Sequence, residues 1–321
     1  MQDENYVYFI LTDGSVIKIA KFEKDDNPDP TPDPTPDPAE IIQFEDNVVK
    51  MICIDNWDAN GDGELSYEEA ATITDLGAAF TGINSIRTFN ELKYFTGITK
   101  IANRAFLNCK SLTNITIPTG VTKIEDYAFS QCDALTCVDI SQKGVTEIGK
   151  SAFYLCHNLT DFIIPKSVVR IGDGAFRECF KLTKITIPEG ISKIERNTFA
   201  LCKAITNIII PENVIIIEDN AFGSCDSLST VIIPESISSI GISFSNCPRL
   251  ERFYGKYASN DNRCLIKYGE LIAIAPYGLE HYSISEDVKH IGKNMFYYTQ
   301  LTSINIPKSV ISVSYTHLTL P

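Results

Sequence analysis

What this chain lacks narrows it first. No stretch of its 321 residues approaches the ~18 consecutive apolar residues that a membrane-spanning helix needs. Residues Met1 to Asn5 offer neither a basic region nor an apolar run of the kind that directs export. Basic residues are outnumbered, 28 against 41, and a net charge of -13 provides no electrostatic footprint for a phosphate backbone, which argues against nucleic acid as a partner. The four histidines (His157, His281, His290 and His317) are scattered, and no Ser or Cys accompanies one at a spacing used for nucleophilic catalysis. Carboxylates are plentiful but fall mostly in linker, loop and surface positions, whereas a paired-acid hydrolase needs two flanking a cleft. No Cys-x-x-Cys occurs, so a metal or redox pair has no local signature. Catalysis is therefore not expected of this chain.

What is there is repetition. Between Ala105 and Pro248 one phrase recurs, Ala-Phe-x-x-Cys-x-x-Leu-x-x-Ile-x-Ile-Pro-x-x-Val-x-x-Ile, with its phenylalanines at 106, 129, 153, 176, 199, 222 and 244. The spacing of 22 to 24 residues lies in the leucine-rich repeat range and predicts a short strand plus a return segment per coil, stacked into a solenoid. Of the ten cysteines, seven (Cys109, Cys132, Cys156, Cys179, Cys202, Cys225 and Cys247) follow those phenylalanines by three residues. Equivalent positions in neighbouring coils stack at ~4.8 Å, so these thiols are expected to pack as small buried hydrophobes rather than to pair.

The rest divides by composition. Residues 1–24 read as a hairpin around Asp13-Gly14; a lone hairpin is marginal, so it is expected to be the remnant of an upstream β domain, which would also explain the missing export signal. Alternating prolines make residues 25–39 an extended Pro/Asp spacer. Residues 40–80 turn helical, 81–312 form the array, beginning with a shortened capping coil, and 313–321 abandon the pattern as a non-repeat tail that reads as a sequencing-adaptor artefact, with more repeats expected beyond. Between about residue 250 and Phe296 the period lengthens, and Cys264 to Ala275 reads as two strands of a projecting hairpin around Tyr268-Gly269.

One motif carries chemistry. Calcium takes six to eight hard oxygens, and an EF-hand loop supplies them at fixed positions around a glycine turn. Asp58, Asn60 and Asp62 occupy the first three liganding places, Gly63 the turn, Glu64 offers its carbonyl, Ser66 the ninth position and Glu69 the bidentate twelfth. The flanks 46–57 and 67–76 are expected to be helices. An Asp/Gly-rich turn that merely joins them does not account for the place of Glu69. Because the loop is alone, its Ca2+ is expected to order the helical cap rather than to signal.

The repeats, for example Ala175 to Ile194, resemble the BspA-like, or treponemal-type, leucine-rich repeats over roughly residues 86–312. The resemblance implies a bacterial surface or secreted protein, in several members an adhesin; the absent export signal departs from that pattern. The fold class expected is thus a repeat solenoid rather than a layered α/β domain: a leucine-rich repeat array with a parallel β-sheet, capped by an N-terminal helical EF-hand-like segment. In each coil the residue between the two isoleucines faces outward. Those residues are Thr116, Asp139, Ile163, Thr186, Ile209, Ile232 and Tyr254, and the apolar ones, Ile163, Ile209, Ile232 and Tyr254, form either a ligand-binding surface or a patch covered by the hairpin 264–274 or by further coils. A monomeric extracellular protein that binds a protein or glycan is the first reading; a docking or spacer module of a larger secreted carbohydrate-active protein is the alternative.

Overall fold

The computed structural model describes residues 6–10, 16–20, 40–140, 144–160, 162–293, 295–296 and 299–314. The turn at Asp13-Gly14, the linker 25–39 and the tail beyond Ser314, with His317, lie outside the described residues. The chain divides into two compact units, Met1–Ala39 and Glu40–Pro321. In the first, Tyr6–Ile10 and Val16–Ala20 pair antiparallel, Tyr6 opposite Ala20 and Ile10 opposite Val16.

The second unit is a solenoid entered through two helices, α1 (Asn47–Trp57) and α2 (Tyr67–Thr72). α2 is shorter than the helix expected to reach residue 76. It stops at the β-branched run Thr72-Ile73-Thr74, whose crowded side chains disfavour further turns, and Ile73 is already extended.

Coils before and after residues 162–187 carry two short strands that stack in parallel on their neighbours, while the two coils between, among the described residues, keep a strand on the second side only. On one side Thr88–Phe89, Asn114–Thr116 and Cys137–Asp139 form one ladder, and Asn207–Ile209, Thr230–Ile233 and Arg252–Gly255 another. On the adjoining side two-residue strands such as Lys100–Ile101, Lys123–Ile124, Glu147–Ile148 and Arg170–Ile171 do the same. The alternation follows from the repeat: Ile208 and Ile210 point inward and are buried while Ile209 between them points out.

The third side is a turn built on Ala-Phe. Arg104 and Asn108 adopt left-handed backbone, and equivalent pairs recur down the array, including Ser151 with Leu155 and Asn197 with Leu201. Left-handed backbone costs an L-residue roughly 1–2 kcal/mol, which here is offset by intercoil hydrogen bonds. The N–H groups of Arg104, Phe106 and Asn108 all donate forward, to the carbonyls of Asp126, Ala128 and Ser130 in the next coil. On the strand sides most donation runs backward, as from Thr113 to Arg87 and Thr122 to Thr99, with a few forward bonds such as Ile117 to Asp139. The boundaries from the coil of Phe106 to that of Phe244 are therefore clamped in both directions.

Inside, the phenylalanines form a continuous stack. From Phe106 through Phe244 successive rings lie 5.2 to 5.6 Å apart and within 15° of parallel, and Phe80 adds a rung before Phe106 at 5.3 Å. Beside them runs the thiol column. All seven repeat cysteines are buried, no disulfide joins any of the ten, and each of the seven donates to a phenylalanine carbonyl one coil back, from Cys109 on Phe80 to Cys247 on Phe222.

The segment 264–274 does not project. Cys264–Lys267 and Glu270–Ile274 pair antiparallel, but Leu271, Ile272, Ala273 and Ile274 are all buried, because this strand is apolar on both faces. It forms a wall between two cores: Ile272, Ala273 and Ala275 pack on the long core that begins at Ile42, whereas Leu271 and Ile274 pack with Ile284, Val288, Ile291 and Met295. Only the tip escapes, with Tyr268 86% exposed.

Candidate functional site

The loop between α1 and α2 is assembled by its own carboxylates. Asp46 caps α1, its Oδ1 accepting from Val48 and Val49, and Ser66 caps α2 in a capping box with Glu69. Between the caps, Asp58 accepts from the N–H groups of Gly61 (2.8 Å) and Gly63 (2.9 Å). Asn60 Oδ1 accepts from Asp62 N–H, Asp62 Oδ1 from Glu64 N–H, and the Asn60 amide donates to Asp62 Oδ2. Glu69 closes the ring: one oxygen takes the N–H groups of Ala59 and Asn60, the other the N–H and hydroxyl of Ser66. Partial burial pulls the Glu69 carboxyl upward, but these donors outweigh it and hold it below its ordinary range.

Two further features anchor the loop. Leu65 is buried and its carbonyl receives Ile42 N–H at 2.9 Å, while Lys50 holds the Glu64 carboxylate at 2.6 Å. Gly61 and Gly63 have φ of 77° and 82°, the left-handed backbone such a turn requires. The oxygen-only donor set of Asp58, Asn60, Asp62, the Glu64 carbonyl, Ser66 and Glu69 fits a hard cation in kind. The carboxylates are turned toward loop amides, however, and among the described residues no three acidic, His or Cys side chains converge as a metal-holding group.

The loop segment is stitched to the first coil. Trp57 packs on Phe80 and Phe95 with centroids 6.1 and 5.8 Å away, and Tyr67 meets Tyr94 edge-on at 4.7 Å. Asp46 Oδ2 accepts Arg87 N–H at 2.6 Å, and the nearly fully buried Glu91 accepts Glu45 N–H at 3.0 Å through Oε1 while its Oε2 has no hydrogen-bond partner. Sequence reasoning missed Glu91, which stands where the array would otherwise place an apolar residue or a turn; a charged residue inside a capping coil was the available signal.

The second candidate is the outward sheet face. Ile209 sits opposite Ile232, and Ile232 opposite Tyr254, on successive parallel strands. Their exposures are 68%, 39% and 41%, so the hairpin 264–274 does not cover them. Ile163 is 78% exposed but stands apart, with Thr186 in the intervening coil. The histidines stay apart. His157 contacts Asp133 and stacks on Phe180 at 4.4 Å, while His281 and His290, among the described residues, meet serine and threonine hydroxyls. Among the described residues, no nucleophile, base and orienting group come together around any of these three.

A family model described as the BspA-type leucine-rich repeat region, in six copies, matches residues 78–205, 146–262 and 194–318. The chain belongs to the BspA-type leucine-rich repeat family. Among solved structures, a leucine-rich cell surface protein from Faecalibacterium prausnitzii is 32% identical over 67% of this chain, with a TM-score of 0.61. This BspA-type chain spans 60% of that protein's length. A leucine-rich repeat protein from T. pallidum is 28% identical over 48% of this chain and 72% of its own, with a TM-score of 0.46, and one from Bacteroides ovatus is 22% identical over 67% of this chain and 66% of its own, with a TM-score of 0.43. No curated protein matches. Among the described residues of the BspA-type array and its cap, no helix is long and apolar enough to cross a membrane.

Proposed function

We propose that this chain is a non-catalytic, adhesin-like binding protein of a bacterial cell surface. It acts as a monomer and receives an extracellular protein or glycan on the outward sheet face at Ile163, Ile209, Ile232 and Tyr254. One observation carries the reading: Ile209, Ile232 and Tyr254 stand in register and exposed, where a face meant only for solvent would favour threonine or charge, and contiguous exposed apolar residues mark interaction sites. The surface location is supported by the Faecalibacterium prausnitzii relative, which is a cell surface protein.

Calcium belongs to the same proposal as a structural ion. When bound, it would cross-link Asp58, Asn60, Asp62, the Glu64 carbonyl, Ser66 and Glu69 and so fasten the segment that seals Phe80 and Phe95. The oxygen donor set supports this reading, and binding requires the carboxylates to turn inward from the loop amides they now hold. Terbium luminescence sensitised by Trp57, the chain's one tryptophan, reports it directly. Saturable emission displaced by calcium and lost in Asp58→Ala supports the site; emission equal in that variant removes it.

The binding reading is tested by screening the purified chain against immobilised matrix proteins and glycans beside Ile209→Lys/Ile232→Lys. A ligand bound by the parent and lost by the folded variant supports the face. A ligand held equally by both overturns it.

A further inference from the structure

Beside the Ile209, Ile232 and Tyr254 row runs a second column that the repeat does not require. The chain turns a corner at Ile-Pro, and the residue after the proline faces out: Glu189, Glu212 and Glu235 in three successive coils, all exposed. Their coils are in direct contact, since the Asn213 amide donates to the Glu189 carbonyl at 2.7 Å and the Lys256 ammonium to the Glu235 carbonyl at 2.6 Å. Lys166 precedes the column and Arg252 and Lys256 follow it, yet none of the three carboxylates forms an ion pair among the described residues.

The column on the adjoining sheet is different. On the adjoining sheet Glu147 is bracketed by Lys123 and Arg170, and Lys193 holds both Glu195 and Glu218. Like charges stacked at ~4.8 Å repel and weaken the coils that carry them, so an unpaired row beside an exposed apolar row calls for a partner that neutralises it.

We propose that this face receives a cationic amphipathic helix of a partner protein, lying along the array axis with Lys or Arg over Glu189, Glu212 and Glu235 and apolar side chains over Ile209, Ile232 and Tyr254. The inference rests on the sheet face being the binding surface and names what it binds. Glu212 follows Ile209 by three residues, at most ~10 Å of chain, which is about the width of a helix with its side chains. Helix residues at i and i+4 are ~5–6 Å apart, close to the ~4.8 Å rise between coils, whereas a strand laid parallel to the coil strands would meet one carboxylate only. Charged polysaccharides carrying carboxylate or sulfate are repelled by the same column.

The test uses the full chain and a synthetic helical peptide with lysines at i, i+4 and i+7 beside a leucine face. Its comparators are a composition-matched isomer with the lysines scattered and an analogue with glutamate in their place. Calorimetric titration is expected to give binding about tenfold tighter for the amphipathic peptide than for the isomer, weakened by salt, and none for the glutamate analogue. Glu189→Gln/Glu212→Gln/Glu235→Gln, which keeps side-chain size, is expected to bind about tenfold more weakly while melting no lower than the parent. Asp55→Asn/Glu68→Gln/Glu286→Gln, with the same loss of charge elsewhere, is expected to bind as the parent does. No binding by the parent, equal binding of the isomer, or equal binding by the two triple variants overturns the proposal. A screened ligand lost by Ile209→Lys/Ile232→Lys but kept by the Glu189, Glu212 and Glu235 variant leaves the face standing and sinks the cationic helix; one kept by both sinks the two together.

Discussion

The Cys202 thiol donates to the Phe176 carbonyl oxygen at 3.2 Å across a coil boundary, inside the core. The phenylalanine thereby serves twice: its ring stacks on Phe153 and Phe199 at 5.3 and 5.6 Å, and its carbonyl, which already accepts Cys179 N–H at 3.2 Å within its own turn, takes the sulfur as a second donor.

Phe176→Ala is expected to destabilise the array by about 3–5 kcal/mol, because both neighbouring rings lose their contact and the rigid turn backbone prevents collapse of the cavity. Since each coil interacts only with its neighbours, the loss is expected to broaden or split the denaturant transition rather than shift it intact. An unchanged single transition contradicts the stacking account.

Burial pushes the Cys202 and Cys247 thiols up to about 12, against 9.0 for an ordinary thiol. The folded chain then keeps protons that the unfolded chain releases, so this contribution to stability is whole below pH 9.0 and is lost as pH rises toward 12. Thermal midpoints are expected to fall across that window, less steeply in Cys202→Ala. At neutral pH a thiol reagent is expected to modify the exposed Cys137 quickly and the nine buried cysteines only on unfolding. Rapid modification of several thiols in the native chain counts against the buried column.

Glu91→Ala removes the acceptor of the Glu45 N–H in a part-buried hydrogen bond and is expected to cost about 1 kcal/mol. Glu91→Gln keeps a carbonyl oxygen for that N–H and places an amide where Oε2 has no partner, so it is expected to be milder. Trp57 fluorescence monitors the cap through either melt. Equal loss in the two variants removes the hydrogen-bond explanation.

Glu69 titrates below its ordinary 4.5 because the donors of Ser66, Ala59 and Asn60 outweigh partial burial. Its contribution is therefore present above pH 4.5 and disappears as pH falls through the lower folded value. Acid titration of Trp57 fluorescence is expected to show a step below that pH which Glu69→Gln abolishes. Gly63→Ala, with no atom within 4 Å of the added methyl, is expected to cost only the left-handed backbone term, about 1 kcal/mol.

Much of the coil was legible because its determinants are local and repeated. Alternation in Ile-x-Ile gives the facing of Ile208, Ile209 and Ile210 by strand geometry alone, and a fixed Phe-to-Cys offset gives stacked columns once coils superpose. The hairpin packs inward and does not project: Leu271 to Ile274 has no alternation, and a strand apolar on both faces can be placed only by knowing what lies on each side. The loop is ambiguous for a different reason. Ser66 and Glu69 sit at the spacing of a capping box as well as at two liganding positions, and one sequence spacing satisfies both.

By itself the sequence determined the period, the identity of the stacked side chains and the residues that leave the core, because a repeated pattern meets the same constraint in each coil. Only the tertiary structure decided what stands next to what across coils. It turned the carboxylates of Asp58, Asp62 and Glu69 onto loop amides, buried Glu91 against the chain entering the cap, and set three unpaired glutamates beside three exposed apolar residues. Those neighbours lie in different coils or on opposite sides of a loop, where distance is set by stacking and hydrogen-bond closure rather than by position along the chain.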